Sequence, residues 1–194
     1  METPRTKYPR SFHLPWSLGA TDDDKTLGSV EHFVGRQVVV TVKMDGENTT
    51  IYSDGYLHAR STSGRSHTSQ AWCRALAARL ANDIPEGWRV CGENLYAQHS
   101  IRYEALTSYF NVFSIWDGTR CLPWDETVQW AEMMDLTTVP VLYVGEWNEE
   151  AIRALSSVVT EGQEGYVVRL ADGFDYADFS GSLAKFVRAN HVTT

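Results

Sequence analysis

The chain has 194 residues, a formal net charge of −8 and three cysteines, and 43% of its residues are hydrophobic. This length and composition suit one domain with a substantial core, so we expect a single domain over residues 1–194. The acidic balance argues against a protein that holds nucleic acid through bulk electrostatics, although a local basic cluster that binds a nucleic-acid end is still compatible with it.

The sequence also indicates a cellular setting. It contains no apolar run long enough for a membrane span, and its first residues, METPRTKYPR, lack the apolar core of a secretory signal. Cys73, Cys91 and Cys121 are widely separated, odd in number and without zinc-site spacing. We therefore expect a cytoplasmic protein with reduced, structural thiols and no membrane contact.

Residues 1–36 are predicted to form an irregular N-terminal strap, because three prolines interrupt them. Two interpretations of this strap are open. Its basic residues bind a phosphate group (Lys7, Arg10 and His13), or its aromatic residues pack it over the remaining fold (Tyr8, Phe12 and Trp16), which we favour. The acidic run at 22–25 is predicted to be a solvated loop.

The remaining elements follow from hydrophobic periodicity and turn residues. Strands are predicted at Gln37–Lys43, 49–53, 56–61, 88–97, 109–116, 139–144, Gly165–Leu170 and 183–188, with a tight turn at Asp54-Gly55. Helices are predicted at 66–81, from 123 to about 134, and at 149–159. Hairpins or long excursions join most strands, which favours an α+β fold with largely antiparallel sheets and flanking helices.

The first strand ends in an unusual way, with the run KMDGEN directly after an apolar β-branched segment. Strand alternation puts Lys43 on the face of Val39 and Thr41. The tetrapeptide K-x-D-G is weak evidence alone, because it is expected by chance in roughly one chain in twenty of this length. A solvated lysine at the end of a strand is the plain alternative.

Four further segments place charge in or beside apolar strands: HARS at 58–61, VCGENLYA at 90–97, EGYVVRL at 164–170 and LAKFVR at 183–188. Their charged residues include Arg60, Glu93, Glu164 and Lys185. Charges are rarely buried without partners, because their desolvation is costly. Together with Lys43 they predict a shared polar cleft between sheets.

In chain order, KMDGE, GENLYA, FNVFSIWD, EGYVVR and LAKFV resemble the nucleotidyltransferase motifs of the covalent polynucleotide ligases. The K-x-D-G-x-N form, from Lys43 to Asn48, most resembles the RNA ligases that seal nicks in duplex RNA. The resemblance spans residues 37–188. It implies the ATP-grasp-like adenylyltransferase fold, in which two largely antiparallel sheets flank an ATP pocket.

The resemblance also implies roles for the residues of the cleft. Lys43 would attack the α-phosphate of ATP, release pyrophosphate and carry a covalent lysyl-AMP. Lys185 would neutralise the α-phosphate, and Glu164 would bind a metal ion. The remaining roles fall to Asp45 (orienting the lysine), Asn48 (orienting a phosphate or metal-bound water), Glu93 (ribose hydroxyl), Arg60 (ribose or 5′-phosphate) and Phe113 (stacking on adenine). The plain alternatives are an ion pair for Glu93, a surface position for Arg60 and simple core packing for Phe113.

The use of a lysine as a nucleophile among carboxylates predicts a divalent cation in such a site. An amine attacks only when unprotonated, and an ordinary lysine is almost entirely ammonium at neutral pH. The carboxylates of Asp45, Glu93 and Glu164 favour the ammonium form still further. Mg²⁺ or Mn²⁺ would reverse this field and offset the triphosphate charge.

Two positions depart from the family pattern. A second lysine is usual two residues after Lys185, where this chain has Val187, and Arg188 points to the opposite face of an ideal strand. An acidic residue that reads the base often precedes the nucleophile, where this chain has Val42. ATP is therefore the expected nucleotide, but its preference over GTP is open.

We thus expect an ATP-dependent RNA ligase that transfers AMP to an RNA 5′-phosphate and joins it to a 3′-OH end, acting as a monomer. A duplex nick is one candidate substrate, and single-stranded ends are another. The alternatives are a DNA ligase or mRNA capping core, and a sensor of nucleotides or RNA ends that performs no chemistry. Because the chain stops soon after the last motif, we expect no complete C-terminal accessory domain.

Overall fold

The computed structural model describes residues 4–62, 67–96, 106–159 and 163–189. Within these ranges the strands form a five-stranded and a seven-stranded sheet. The strands are β1 Phe12–His13, β2 Gln37–Lys43, β3 Glu47–Tyr52, β4 Leu57–His58, β5 Trp88–Asn94, β6 Phe110–Asp117, β7 Arg120–Cys121, β8 Thr137–Thr138, β9 Val141–Glu146, β10 Gly165–Leu170, β11 Phe174–Asp175 and β12 Leu183–Val187. The helices are α1 Ala71–Leu80, α2 Trp124–Met133, α3 Glu149–Ala154 and α4 Phe179–Ser182.

The first sheet has the order β1-β12-β10-β2-β9 and is antiparallel except for the β1–β12 pair. In its register Gly165 of β10 lies opposite Lys43, and Val167 lies opposite both Thr41 and Lys185. Residues paired across a sheet share a face, and so do residues two apart along a strand. Lys43 and Lys185 therefore project from the same face, on either side of β10.

The second sheet has the order β11-β7-β6-β5-β3-β4, and β8 pairs in parallel with β6. Helices α1 and α2 pack on one face of it. This contact buries a continuous apolar cluster that includes Ile51, Cys73, Leu76, Leu80, Val90, Val112, Ile115, Ala131 and Met134. The opposite face of the sheet packs against the first sheet. A sheet with two apolar faces generally buries each of them against a neighbouring layer.

A second cluster joins the two sheets. It combines Val38 and Val40 of β2 with Cys91 and Trp116 of the second sheet, and all four side chains are fully or almost fully buried. Cys73, Cys91 and Cys121 are free and buried. Within the described part of the chain, no helix has the length and apolarity that crossing a lipid bilayer requires.

The structure corrects several predicted elements. The strand predicted at 56–61 is paired only over Leu57–His58, where β4 meets β3. The helix predicted at 149–159 ends as an α-helix at Ala154 and continues as a 3₁₀ turn, Leu155–Ser157. The hydroxyls of Ser156 and Ser157 donate to carbonyls three residues back, which favours this tighter turn.

The N-terminal strap is more ordered than predicted. It contributes β1 to the first sheet, and its aromatic residues anchor it: the Tyr8 ring lies edge-on between Phe113 and Phe179, and the Trp16 indole donates to the Tyr166 hydroxyl at 2.8 Å. The run at 22–25 is not uniformly solvated, because Asp24 is only partly exposed and makes several hydrogen bonds.

Candidate active site

A cavity of about 450 Å³ lies between the two sheets. Its wall is drawn from β2, β10 and β12 of the first sheet, from β3, β5 and β6 of the second, and from the strap. Six of the predicted site residues line it, namely Lys43, Asn48, Arg60, Glu93, Phe113 and Lys185. The volume falls within the range of roughly 300–1,000 Å³ that small-molecule sites occupy.

The Lys43 ammonium forms an ion pair with the carboxylate of Glu164. Lys43 is the last residue of β2, and its side chain is 25% exposed, whereas Glu164 is 6% exposed and immediately precedes β10. Glu164 is not part of the cavity wall; it reaches the site through Lys43. This pairing holds the lysine side chain in place at the cavity wall.

Arg188 hydrogen-bonds to the backbone of the segment that carries Glu164. Its amide donates to the Glu164 carbonyl at 3.0 Å, and its Nε donates to the Gln163 carbonyl at 2.9 Å. Arg188 does not line the cavity, so it does not replace the lysine that the family pattern places at Val187.

Glu93 faces Lys43 from the second sheet. Its Oε1 accepts a hydrogen bond from the Gly46 amide at 3.0 Å, which ties β5 to the turn after the nucleophile candidate. Burial raises the pKa of Glu93 to about 7; Lys43 opposes this rise, and the charges of Glu164 and Asp45 add to it. Asp45 therefore acts on the site through its charge, although it is not part of the wall.

Asn48 lies opposite Glu93 across the β3–β5 pair and lines the same cavity. Its Oδ1 is buried and has no hydrogen-bond partner among the described residues. Buried polar atoms are nearly always satisfied, so an orphaned acceptor in a cavity wall indicates a place where a donor or a cation binds.

Lys185 is half-buried on the other side of β10. Burial and the neighbouring charge of Lys43 lower its pKa, while Asp24 and Glu164 act in the opposite direction. Two ammonium groups so close together in one cavity, with Arg60 at its exposed side, form a site suited to a polyanion.

A β-bulge helps to place Phe113. Between Cys91 and Gly92 of β5 the register shifts, so that Phe113 is the extra residue on β6. Val112 and Ile115, three residues apart, both belong to the helix-side core, whereas Phe113 lines the cavity. Bulges near active sites commonly re-aim a side chain in this way.

Arg169, which was not among the predicted site residues, lines the cavity although it is only 2% exposed. Its guanidinium donates to the carbonyls of Leu170 and Leu122 at 3.0 and 2.7 Å. The segment EGYVVRL could have predicted this position, because strand alternation from Gly165 places residues 167 and 169 on the cavity face. Tyr8 also lines the cavity, which a local sequence pattern could not reveal.

No group of three or more His, Cys, Asp or Glu side chains suited to a metal ion occurs within the described ranges. The oxygen donors at hand include the Glu164 carboxylate and the orphaned Oδ1 of Asn48, and the carboxylates of Glu47 and Glu93 line the same cavity. Mg²⁺ typically binds to one or two carboxylates together with the phosphate oxygens of its substrate, rather than in an all-protein cage. The donors present fit that mode of binding.

Solved structures of RNA ligases share this architecture. An archaeal ATP-dependent RNA ligase superposes with a TM-score of 0.64 at 20% identity, covering 94% of this chain and 48% of that one. A Naegleria gruberi RNA ligase mutant with ATP and Mn gives 0.62 at 20% identity, with coverages of 82% and 52%. Another mutant of the Naegleria enzyme with ATP and Mn gives 0.63 at 20% identity, with coverages of 97% and 61%.

At this level of identity the likeness establishes the fold, and it confirms the predicted pair of antiparallel sheets with flanking helices. The chain spans roughly half to three-fifths of the length of these structures. No curated protein matches it. The model of the RNA ligase family, however, matches residues 36–187, which is most of the chain and includes all five quoted motifs. The chain therefore belongs to the RNA ligase family.

Proposed function

We propose that this chain is the nucleotidyltransferase unit of an ATP-dependent RNA ligase, with Lys43 as its nucleophile. One observation carries the proposal: the Lys43 ammonium, ion-paired with Glu164, lies at the wall of a cavity that is also lined by Lys185, Glu93 and Asn48. A lysine held by a carboxylate beside a second lysine is suited to receive a phosphate and then attack it.

In the first step, the Nζ lone pair of Lys43 attacks the α-phosphorus of ATP. A phosphoramidate bond forms, the bond to the bridging oxygen breaks, and pyrophosphate leaves. Lys43 must release a proton to solvent before this attack, and its contact with Glu164 opposes that release, because a neighbouring carboxylate stabilises the charged form of an amine. Mg²⁺ or Mn²⁺, held by Glu164, Asn48 and the phosphates, would supply positive charge that offsets the carboxylates and the triphosphate.

The other residues bind and orient. Lys185 neutralises the charge that builds on the α-phosphate, and Glu93 accepts a hydrogen bond from a ribose hydroxyl. Phe113 offers a ring face or edge to the base, and Asp45 adds to the field that orients Lys43. Arg60, exposed at the cavity wall, contacts the ribose or the incoming 5′-phosphate.

The later steps follow from the reactivity of the adduct. The 5′-phosphate of an RNA end attacks the lysyl-AMP phosphorus, which frees Lys43 and forms an adenylylated end. A 3′-OH then attacks that end and AMP leaves. Membership of the RNA ligase family supports RNA as the substrate, and a pair of nicked duplexes that differ only in the 2′-OH at the nick tests this choice.

The decisive experiment is incubation with α-³²P-ATP and Mg²⁺ or Mn²⁺, followed by denaturing electrophoresis. We expect an acid-labile label on the wild-type chain that Lys43→Ala abolishes. Lys25→Ala, which removes an exposed strap lysine, is the matched control and should label like wild type. ATP binding without any label would contradict the enzymatic proposal and favour the sensor; labelling by GTP alone would favour a capping-type core.

A further inference from the structure

The N-terminal strap packs against the strand that carries Lys185. Strand β1 runs parallel to β12, and His13 is the partner of Lys185 in that register. The Leu14 amide donates to the Lys185 carbonyl at 2.7 Å, which fixes the strap to the strand at this residue. Ser11, two residues before His13, lines the cavity. The strap is therefore a wall of the site directly beside Lys185.

Asp24 is brought back to the same place by the turn that follows. The His13 amide donates to the Lys25 carbonyl at 2.7 Å, so residues 24 and 25 lie against β1. The Asp24 carboxylate accepts from the Thr21 amide at 3.1 Å and from the Thr21 hydroxyl at 2.9 Å. Burial works against the charged form, but these two bonds and the charge of Lys185 bring the pKa of Asp24 to about 2. The carboxylate is thus fixed and negatively charged.

His13 lies between Asp24 and β12, and it does not neutralise the charge of the Asp24 carboxylate. The Ser17 hydroxyl accepts from the Val187 amide at 2.9 Å and lies within hydrogen-bond distance of Nδ1 of His13, at 2.7 Å. Nε2 of His13 lies 3.5 Å from the Asp24 carboxylate and has no hydrogen-bond partner among the described residues. Burial, with Lys185 adding to it, lowers the pKa of His13 to about 4, so the imidazole is neutral near pH 7.

Of the two carboxylates whose charge acts on Lys185, Asp24 is the one that is not engaged with Lys43. Lys185 is flanked by the positive Lys43 and Arg60 and by the negative Asp24 and Glu164. Glu164 is already engaged with Lys43. Arg10 also reaches Asp24, at 3.3 Å, but this contact is at the surface, where solvent screens ion pairs.

Building on the proposed function, we infer that Asp24 and His13 are positioning residues that hold the Lys185 ammonium toward the α-phosphate during nucleotidyl transfer. Asp24 does so by its charge. His13, hydrogen-bonded to Ser17, contacts the carboxylate at 3.5 Å and pairs with Lys185 in the β1–β12 register, so it packs between the carboxylate and β12. The strap thereby supplies a charged group that acts on the catalytic cleft, although it lies outside the five motifs of the family.

Asp24→Asn separates this role from a structural one. The asparagine oxygen still accepts both Thr21 hydrogen bonds, so the turn is kept; the charge is lost, together with the exposed Arg10 contact. In single-turnover labelling with α-³²P-ATP, we expect adduct formation to slow about tenfold, with the melting temperature unchanged and partial recovery in Asp24→Glu. Asp23→Asn, an exposed neighbour, is the matched control and should behave like wild type.

A double-mutant cycle with Lys185→Met tests whether Asp24 acts through Lys185. We expect Asp24→Asn to cause no further loss of rate or of ATP affinity once Lys185 is methionine. If Asp24→Asn lowers the melting temperature, Thr21→Val, which removes one hydrogen bond to Asp24 and no charge, should slow labelling about threefold. Equal rates for the two asparagine variants, or multiplicative losses in the cycle, would overturn this inference alone; an unlabelled wild type would overturn the proposed function.

Discussion

At the scale of single residues, Glu93 illustrates how a residue of the candidate site can lower the stability of the folded chain. Its pKa is raised from 4.5 to about 7, so between these values the folded chain keeps a proton that the unfolded chain has released. The contribution of Glu93 to the free energy of unfolding therefore falls as the pH rises through this window and is constant above it. Glu93→Gln stays neutral, and in the nucleotide-free protein it should raise the melting temperature by roughly 3 °C at pH 8 but not at pH 4.5.

The measurement is thermal melting at several pH values, with Glu146→Gln, at the exposed end of β9, as the matched control. The same Glu93→Gln variant should lose adduct formation, which is the usual trade between stability and function. A melting difference that does not vary with pH would show that the Glu93 carboxyl is charged throughout the range.

At this scale the sequence could predict which residues meet but not all of their partners. Lys43, Glu93 and Lys185 were predicted to share a cleft, because charged residues inside apolar strands need polar partners. The structure places all three in the wall of one cavity. Asp24 was predicted to be solvated, because an acidic run in a proline-rich segment carries no signal of the strand it will lie against. Contacts that depend on how segments distant in the sequence pair with each other leave no pattern in the local sequence.

Among the elements, the β10–β12 pair depends on a glycine. A Cβ added at Gly165 would lie 1.8 Å from the carbonyl oxygen of Phe186 in β12, a backbone atom that cannot move alone. Gly165→Ala should therefore push the strands apart and lower the free energy of unfolding by about 2–3 kcal/mol. It should also slow adduct formation, because Glu164 immediately precedes β10 and Lys185 lies on β12.

Gly181→Ala is the matched control for this prediction. Gly181 lies in α4, no atom lies within 4 Å of the position that an alanine methyl group would occupy there, and alanine is the better helix former. Urea unfolding should give a lower midpoint for Gly165→Ala than for wild type, and a midpoint equal to or above wild type for Gly181→Ala. Equal midpoints for the two variants would mean that β12 tolerates displacement.

The regular elements were largely predictable, and the irregular ones were not. Gln37–Lys43 and Gly165–Leu170 have the bounds that their apolar runs predicted, because central strands are read directly from β-branched residues. The bulge at Phe113 was not predicted, since it is a shift between β5 and β6 rather than a property of β6. Likewise, the pairing of Phe12–His13 with β12 joins segments about 170 residues apart.

For the whole molecule, the position of the cavity between the sheets predicts how nucleotide binding acts on stability. The wall combines β2, β10 and β12 with β3, β5 and β6, so a bound nucleotide contacts both sheets and is lost when either unfolds. A ligand at 100 times its dissociation constant stabilises the folded state by about 2.7 kcal/mol. An α,β-methylene ATP analogue, which Lys43 cannot cleave, should therefore raise the melting temperature by about 5–10 °C in a single transition.

Lys185→Met should reduce that rise, because under the proposed function the half-buried ammonium would be one of the charges that face the triphosphate. Lys25→Ala, which removes the same charge from the exposed strap, should leave the rise unchanged and so controls for net charge. Differential scanning fluorimetry across a series of analogue concentrations measures both. Two separate transitions, of which the analogue shifts only one, would show that the sheets unfold independently and that the nucleotide is held by one of them alone.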